Sequence, residues 1–179
     1  NHDKFIKLFN RIKIARNKKA DMFISIHADS IGNASVRGAS IYTLSNKASA
    51  AQTAKLAQRE NRADLIAGVD LSHEDKEVSD ILLDLAMRET MNQSKFFANI
   101  VVDEWKANNI RTLDRPHRYA GFAVLKAPDI PSVLIEIGFM SNKQDLSLLK
   151  ISGYQRKMAV ALTQSINTYF NKVNQNSVQ

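Results

Sequence analysis

The chain has 179 residues, enough for one domain with a substantial core, and a formal net charge of +7. It contains no cysteine, which excludes disulfides and thiolate metal sites, and no run of about 18 apolar residues, so we expect no membrane span. Its basic residues are scattered and accompany no zinc finger or glycine-rich aromatic RNA-binding motif, so the charge predicts solvated helix ends and loops rather than a nucleic-acid surface.

The first half of the chain alternates predicted helices and strands. In chain order these are a helix over residues 8–19, a strand over 22–28, a strand over 38–44 and a helix over 48–65. The first helix is indicated by Leu8, Ile12 and Ala15, whose spacing places them on one face. The second is rich in alanine, which is a strong helix former. Gly68 then predicts a break in the helical pattern.

The second half continues with a long helix and two short strands. The predicted elements are a helix from residue 72 to about 108, a polar loop over 109–120, strands over 122–125 and 133–137, and a helix from 152 to about 172. Ser72 with Asp75 is typical of a helix start, since serine caps and the acid favours the positive end. Strands that alternate with helices predict an α/β fold with an open, mostly parallel sheet and helices on both faces.

A carboxylate interrupts the apolar strand predicted over residues 133–137. Glu136 must there be paired, bound to a metal or placed at the strand's end in a cleft, because burying a lone charge is costly. Gly138 lets the chain turn, and Ser141 with Gln144 predicts a capping box for a following helix. Open α/β sheets build active sites at such strand ends. The alternative interpretation is a glutamate with a salt bridge in the core.

The strand predicted over residues 22–28 also ends in polar residues. His27 lies at its end and Asp29 follows. A neutral imidazole at a strand end is a common metal ligand, and a nearby carboxylate often orients it. The alternative is a core histidine satisfied by hydrogen bonds. His73 and His117 lie in polar surroundings, and we expect both to be solvated loop residues.

Several segments, in this order along the chain, resemble one known family. They are residues 3–6, 14–16, 20–30 (ADMFISIHADS), 38–42, 122–125 and 131–142 (PSVLIEIGFMSN). The chain resembles the zinc-dependent N-acetylmuramoyl-L-alanine amidases of bacterial cell-wall turnover, the Amidase_3 family. It is most similar to the periplasmic cell-division amidases of Gram-negative bacteria, whose helical insertion begins with a segment like residues 60–71 here.

The resemblance implies a fold, a reaction and a cofactor. The expected fold is an open twisted sheet of the zinc-exopeptidase type, with residues 1–179 forming one catalytic domain. The expected reaction is hydrolysis of the amide bond between N-acetylmuramic acid and L-alanine in peptidoglycan, with Zn²⁺ as cofactor. Position by position, His27 takes the place of the last zinc ligand and Glu136 that of the catalytic glutamate.

Other features of the family are expected outside this chain. The two remaining family ligands, a histidine and a glutamate, would lie upstream of Asn1, together with the first strands of the sheet. The chain's start contains no apolar segment of a signal peptide. The resemblance implies export to the periplasm, so we expect the signal to lie upstream as well.

A helical insertion is predicted at about residues 58–108. Two helical segments and a break lie between the strands over 38–44 and 122–125, where a plain crossover needs a helix of roughly 10–15 residues. The resemblance implies that the insertion covers the active site until a LytM-type activator protein binds. Glu60 is the first candidate for the blocking acid, and Glu74 and Asp75 are alternatives. An enlarged scaffold without a switch is the other interpretation.

Two other functions remain open from the sequence. A non-catalytic peptidoglycan-binding domain would be consistent with a chain that lacks part of the family's metal site. A nucleic-acid or acidic-polymer binder would rest on the net charge alone. Metal content and the salt dependence of binding separate these functions from the amidase.

Overall fold

The computed structural model describes residues 4–62 and 80–176. Its elements are α1 (Leu8–Asn17), β1 (Phe23–His27), β2 (Ala39–Leu44), α2 (Ala51–Asn61), α3 (Asp80–Ala107), β3 (Thr112–Ala120), a 3₁₀ helix (Ala123–Leu125), β4 (Ser132–Glu136), α4 (Lys143–Leu149) and α5 (Ser152–Asn176). The predicted break at Gly68, the cap at Ser72, and His73, Glu74 and Asp75 lie outside the described residues.

The four strands form one mixed sheet in the order β1-β4-β2-β3. The pairs β1–β4 and β2–β3 are parallel, whereas β2 and β4 are antiparallel. The predicted α/β fold with a mostly parallel sheet is therefore confirmed. In the register, Glu136 lies opposite His27 of β1 and opposite Ser40 of β2, so the polar end of β4 is flanked on both sides.

Helices cover both faces of the sheet, as the sequence predicted. On one face α3 and α5 pack against Ile41, Val133 and Ile135, and Trp105 of α3 is fully buried among them. On the other face α1, α2 and the 3₁₀ helix pack around Tyr42. The side chains of Phe97, Val101 and Trp105 form a buried apolar stripe along α3. None of the helices within the described ranges has the length and apolarity to cross a bilayer.

Residues 112–120 form a strand, so the predicted polar loop is wrong there. Among the described residues, strand β3 pairs with β2 alone and lies at the edge of the sheet, where polar side chains can face solvent. Pro116 is compatible with an edge strand. Proline has no N–H to donate, and an edge strand needs hydrogen-bond donors on one side only. The register also shifts between Ala39 and Ile41, whose partners are Thr112 and His117.

Two local predictions near the site are also wrong. The strand expected over residues 122–125 is a 3₁₀ helix, because its apolar residues are buried by packing between α1 and α2 and not by pairing in the sheet. The cap of α4 is Asn142 rather than Ser141. The Asn142 side chain accepts bonds from the main-chain N–H groups of Gln144 and Asp145, at 3.0 and 3.1 Å.

Candidate active site

His27 and Glu136 lie side by side at the carboxyl ends of the parallel strands β1 and β4. Their strands are paired at these residues, and the Ile137 N–H extends the ladder by donating to the His27 carbonyl at 3.0 Å. With Asp29 they form a cluster in which one ligand atom from each residue lies within 4.8 Å of the others. The sequence predicted each strand end separately, and the sheet register brings the two together.

Glu136 is completely buried at the centre of this cluster. Its Oε2 atom accepts a hydrogen bond of 3.0 Å from the Asp29 main-chain N–H. Its Oε1 atom is buried without a hydrogen-bond partner among the described residues. Burial, followed by the negative charge of Asp29, raises the pKa of Glu136 to about 9. The carboxyl therefore keeps its proton at neutral pH unless a positive charge enters the cluster.

His27 is held by its own strand. Its Nε2 atom lies 2.9 Å from the Ser25 hydroxyl, two residues earlier on β1. In the tautomer in which Nε2 carries the proton, Nε2–H donates a hydrogen bond to the Ser25 hydroxyl and Nδ1 keeps a free lone pair. The Nδ1 atom lies 3.4 Å from Glu60 Oε2 and 3.7 Å from Asp29 Oδ1. A neutral imidazole oriented in this way through its second nitrogen is a typical metal ligand.

Helix α2 places two charged side chains over the strand ends. Glu60, predicted as the regulatory acid, reaches His27. Arg59, which the sequence analysis did not single out, donates to the Ser30 carbonyl and pairs with the Asp29 carboxylate. Its position beside Glu60 was the only sequence signal for this contact. The site is therefore closed on one side by a helix whose last turn contacts the cluster directly.

The pKa values of the three acids at the site are shifted in different directions. Burial alone would raise the pKa of Asp29, but its contact with His27 and the charge of Arg59 outweigh burial and lower the pKa to about 2. Burial and then the charge of Asp29 raise the pKa of Glu60. One ionised acid thus lies between two acids that hold protons more tightly than usual, which is the result expected when carboxyl groups share a small space.

The donor set fits a divalent metal ion. Imidazole nitrogen and carboxylate oxygen are the ligands that zinc takes in the absence of cysteine. The buried Oε1 atom of Glu136 has no partner in the described part of the chain, and a cation would stabilise the ionised form that burial disfavours. Within residues 4–62 and 80–176, no lysine or arginine lies within ion-pair distance of Glu136, so the alternative of a core salt bridge gains no support.

His117 is not a solvated loop residue as predicted. It lies in β3, is half-buried, and its Nε2 atom is 3.0 Å from the Thr43 hydroxyl. Burial and then the charge of Lys95 lower its pKa. Its hydrogen bond to a buried threonine satisfies the ring within the sheet, so His117 forms no part of the cluster at the strand ends.

A cavity of about 460 Å³ adjoins the site. Tyr42, Arg59 and Phe139 are among the residues that line it, and the cations Lys55 and Arg118 also face it. Burial raises the pKa of Tyr42 to about 12, so its hydroxyl keeps the proton at physiological pH. The cavity offers space beside the cluster for a ligand larger than an ion.

An α/β domain that gathers an imidazole and carboxylates at the carboxyl ends of paired strands is typical of proteins that bind a divalent metal there. The particular family is given by comparison: the model of the N-acetylmuramoyl-L-alanine amidase family, Amidase_3, matches residues 1–168. The chain belongs to this family.

Known relatives agree with the family match. The chain is 36% identical over 169 residues to the N-acetylmuramoyl-L-alanine amidase AmiA of Escherichia coli K12, covering 94% of this chain and 58% of that protein. It is 38% identical over 175 residues to AmiC of Escherichia coli O6:H1, covering 95% of this chain and 40% of that protein. The chain therefore spans about half the length of these relatives.

A solved structure shows the same fold. The CwlD amidase from Clostridioides difficile, in complex with the GerS lipoprotein, superposes with a TM-score of 0.60 at 25% sequence identity, covering 92% of this chain and 61% of that one. The crystal structure of Ami1 from Mycobacterium smegmatis gives a TM-score of 0.64 at 19% identity, which supports the fold alone.

Proposed function

We propose that the protein is a zinc-dependent amidase that hydrolyses the bond between N-acetylmuramic acid and L-alanine in peptidoglycan. The observation that carries this proposal is the meeting of His27 and Glu136 at the paired ends of β1 and β4, in a chain of the amidase family. The cluster supplies both kinds of group that the reaction needs, a metal ligand and a proton acceptor.

The roles of the residues follow from their contacts. His27 would hold the zinc through Nδ1, while Asp29 lies close enough to shape that position. A bound zinc ion would polarise the carbonyl of the substrate and lower the pKa of the attacking water. Glu136 is the general base: Oε1 is free to take a proton from the attacking water, while Oε2 stays bound to the Asp29 N–H.

Glu136 also completes the reaction. The water oxygen forms a bond to the lactyl carbonyl carbon of the muramic acid, and the C–N bond to L-alanine then breaks. Glu136 returns its proton to the departing nitrogen, which leaves as an amine. The products are a muramic carboxylate and a peptide with a free amino terminus.

The catalytic assignment is tested in the full-length protein. Glu136→Gln should retain zinc and fold but lose roughly 10²–10⁴-fold in muropeptide hydrolysis. Glu89→Gln, an exposed change on α3, serves as the matched control and should keep wild-type activity. Hydrolysis by Glu136→Gln near the wild-type rate would contradict the assignment. A zinc-loaded wild type that binds cell-wall sacculi without cutting them would favour the non-catalytic alternative.

We further propose that helix α2 inhibits the enzyme until it is displaced. Glu60 Oε2 lies 3.4 Å from His27 Nδ1, the atom proposed to hold zinc, so this carboxylate would compete with water or substrate for a bound zinc ion. The proposed regulatory region, residues 58–108, begins within α2 and ends after α3. Because Phe97 and Trp105 of α3 are core residues, displacement would have to leave that half of α3 in place.

Release of α2 requires a partner that binds the open state more tightly than the closed one. A LytM-type activator is the partner we propose, and the CwlD–GerS complex supports the idea that amidases of this fold associate with other proteins. We also propose a periplasmic location and a role in splitting the septal cell wall, as expected from the resemblance to the cell-division amidases.

The inhibition is tested by basal activity. Glu60→Ala should raise hydrolysis without activator by about tenfold, within the 5–150-fold range typical of coupling between sites. Gln58→Ala, exposed on the same helix, is the control and should leave the basal rate unchanged. If Glu60→Ala keeps the wild-type basal rate with its zinc in place, self-inhibition by this acid is excluded.

A further inference from the structure

A second buried carboxylate lies close to the site but outside the metal cluster. Asp145, in the first turn of α4, is only 4% exposed. Its Oδ2 atom accepts two main-chain hydrogen bonds, from Gly38 at 2.7 Å and from Phe139 at 3.0 Å. The main chain of Asp145 is itself held by the Asn142 cap. One oxygen atom thus joins two segments that are distant in sequence.

Both segments directly adjoin a strand of the site: one precedes β2, and the other follows β4, which ends in the proposed catalytic glutamate. Gly38 directly precedes β2, whose Ser40 is paired with Glu136. Phe139 lies three residues beyond Glu136, in the turn that follows β4. Gly138 of this turn has φ +149°, and a Cβ there would lie 3.3 Å from Asp145 Oδ2. The turn is therefore packed tightly onto the Asp145 carboxylate, and its conformation is one that favours glycine.

The same turn continues into the metal cluster. The Met140 N–H donates to the Asp29 carbonyl at 2.8 Å, and the Asp29 N–H in turn donates to Glu136 Oε2. An unbroken series of contacts therefore runs from Asp145, through the turn over residues 137–140, to Asp29 and back to Glu136. Arg37, with Nε 3.6 Å from Asp145 Oδ1, balances the buried charge.

We propose that Asp145 is a positioning residue for the proposed amidase reaction. Its carboxylate fixes the turn after β4, so that Asp29 holds Oε2 of Glu136 and leaves Oε1 free for proton transfer. The inference rests on the proposed function, because Glu136 must be the base for its orientation to matter. Asp145 is not a member of the His27–Asp29–Glu136 cluster and does not line the adjoining cavity.

A positioning role differs from a purely structural one in what it changes. Loss of stability alone lowers the amount of folded enzyme and leaves kcat per folded molecule unchanged. A displaced base lowers kcat in fully folded enzyme and leaves KM nearly constant, because the substrate contacts remain. A displacement of about 1 Å at a reacting group can cost about 10²-fold in rate.

The experiment compares Asp145→Ala with Asp145→Asn in the full-length, zinc-loaded protein, at a temperature well below both melting points. Asp145→Ala should lower kcat by about 10- to 100-fold with KM changed by less than about threefold. Asp145→Asn should recover most of kcat, because its amide oxygen can accept both main-chain bonds. The control Asp129→Ala removes an exposed partner of Arg16 and should leave kcat unchanged.

Each outcome decides the proposal. A kcat for Asp145→Ala within twofold of wild type, or an Asp145→Asn variant no better than alanine, would overturn it. If Asp145→Ala does not fold, Asp145→Glu replaces it: the longer side chain keeps the charge but moves the acceptor oxygen, so the same loss of kcat is expected and a wild-type kcat refutes the role. Failure of the proposed function looks different, because wild type and Glu136→Gln would then be equally inactive.

Discussion

The strand ends and helix α2 build two sides of the site with different kinds of contact. On the strand side, main-chain pairing fixes His27 opposite Glu136, and the ladder continues through Ile137. On the helix side, the contacts of α2 with the cluster pass through the side chains of Arg59 and Glu60. Main-chain pairing holds the proposed catalytic groups rigidly, whereas side-chain contacts can be exchanged. The comparison predicts that changes on the strand side disable the site and that changes on the helix side release it.

The largest effect is expected from the metal ligand proposed on the strand side. His27→Ala should remove most zinc and abolish hydrolysis. This loss is larger than the roughly 10–100-fold loss of metal affinity or activity that follows when a hydrogen-bond partner of a metal ligand is removed. Zinc content per chain and muropeptide hydrolysis are measured together. His117→Ala is the control, because the His117 ring is hydrogen-bonded to Thr43 and lies outside the cluster. One tight zinc per chain after His27→Ala would assign His27 a structural role.

The stability of the metal-free protein should depend on pH through Glu136, the buried acid of the strand side. Because the pKa of Glu136 is raised from 4.5 to about 9, the folded state holds a proton that the unfolded state releases in this range. Its contribution to stability is therefore complete below pH 4.5 and is lost as the pH rises towards 9, by at most about 1.4 kcal/mol per pH unit.

The check is denaturant unfolding at several pH values between 5 and 9, without metal, of wild type and Glu136→Gln. The variant cannot ionise at this position, so the stability difference in its favour should grow with pH. Zinc should reduce the slope in wild type, since a cation favours the ionised carboxylate. Parallel pH profiles for the two metal-free proteins would show that the buried carboxyl does not titrate in this range.

The same comparison explains what the sequence could predict. Periodic apolar residues identified the strands that end in His27 and Glu136, because a polar residue ending a buried strand is visible in one dimension. The meeting of the two residues depends on the order β1-β4-β2-β3, in which sequence-distant strands become neighbours. Likewise, Asp145 gives no signal in sequence, since its partners Gly38 and Phe139 contribute only main-chain N–H groups.

Edge and helix features were the least predictable. Strand β3 is the edge strand of the sheet that the described residues form, and its sequence is accordingly polar, so it was indistinguishable from a loop. Glu60 was identified through the family resemblance, and the structure places it beside His27. Arg59 is visible only once α2 is laid over the strand ends, because neither spacing nor composition marks an ion pair between distant segments.

An intermediate effect is expected from Ser25, which orients the His27 ring. Ser25→Ala removes the hydroxyl 2.9 Å from Nε2 and should weaken zinc affinity by about 10-fold, at the lower end of the range for such supporting groups. The measurement is competition for zinc with a chelating dye. Ser147→Ala, exposed on α4, is the control. Unchanged affinity would mean that the strand backbone alone orients the imidazole.

The smallest effect is expected from Arg59 on the helix side. Its side chain is 43% exposed where it meets Asp29, and exposed ion pairs contribute only about 0.2–1 kcal/mol. Arg59→Ala should therefore raise basal hydrolysis by less than about fivefold, less than Glu60→Ala. Because salt screens such pairs, added salt should raise the basal rate of wild type more than that of Arg59→Ala. The control is Gln58→Ala, exposed on the same helix. A loss of activity in Arg59→Ala would instead place this side chain in the catalytic half of the site, and the division between a fixed strand side and a releasable helix side would be wrong.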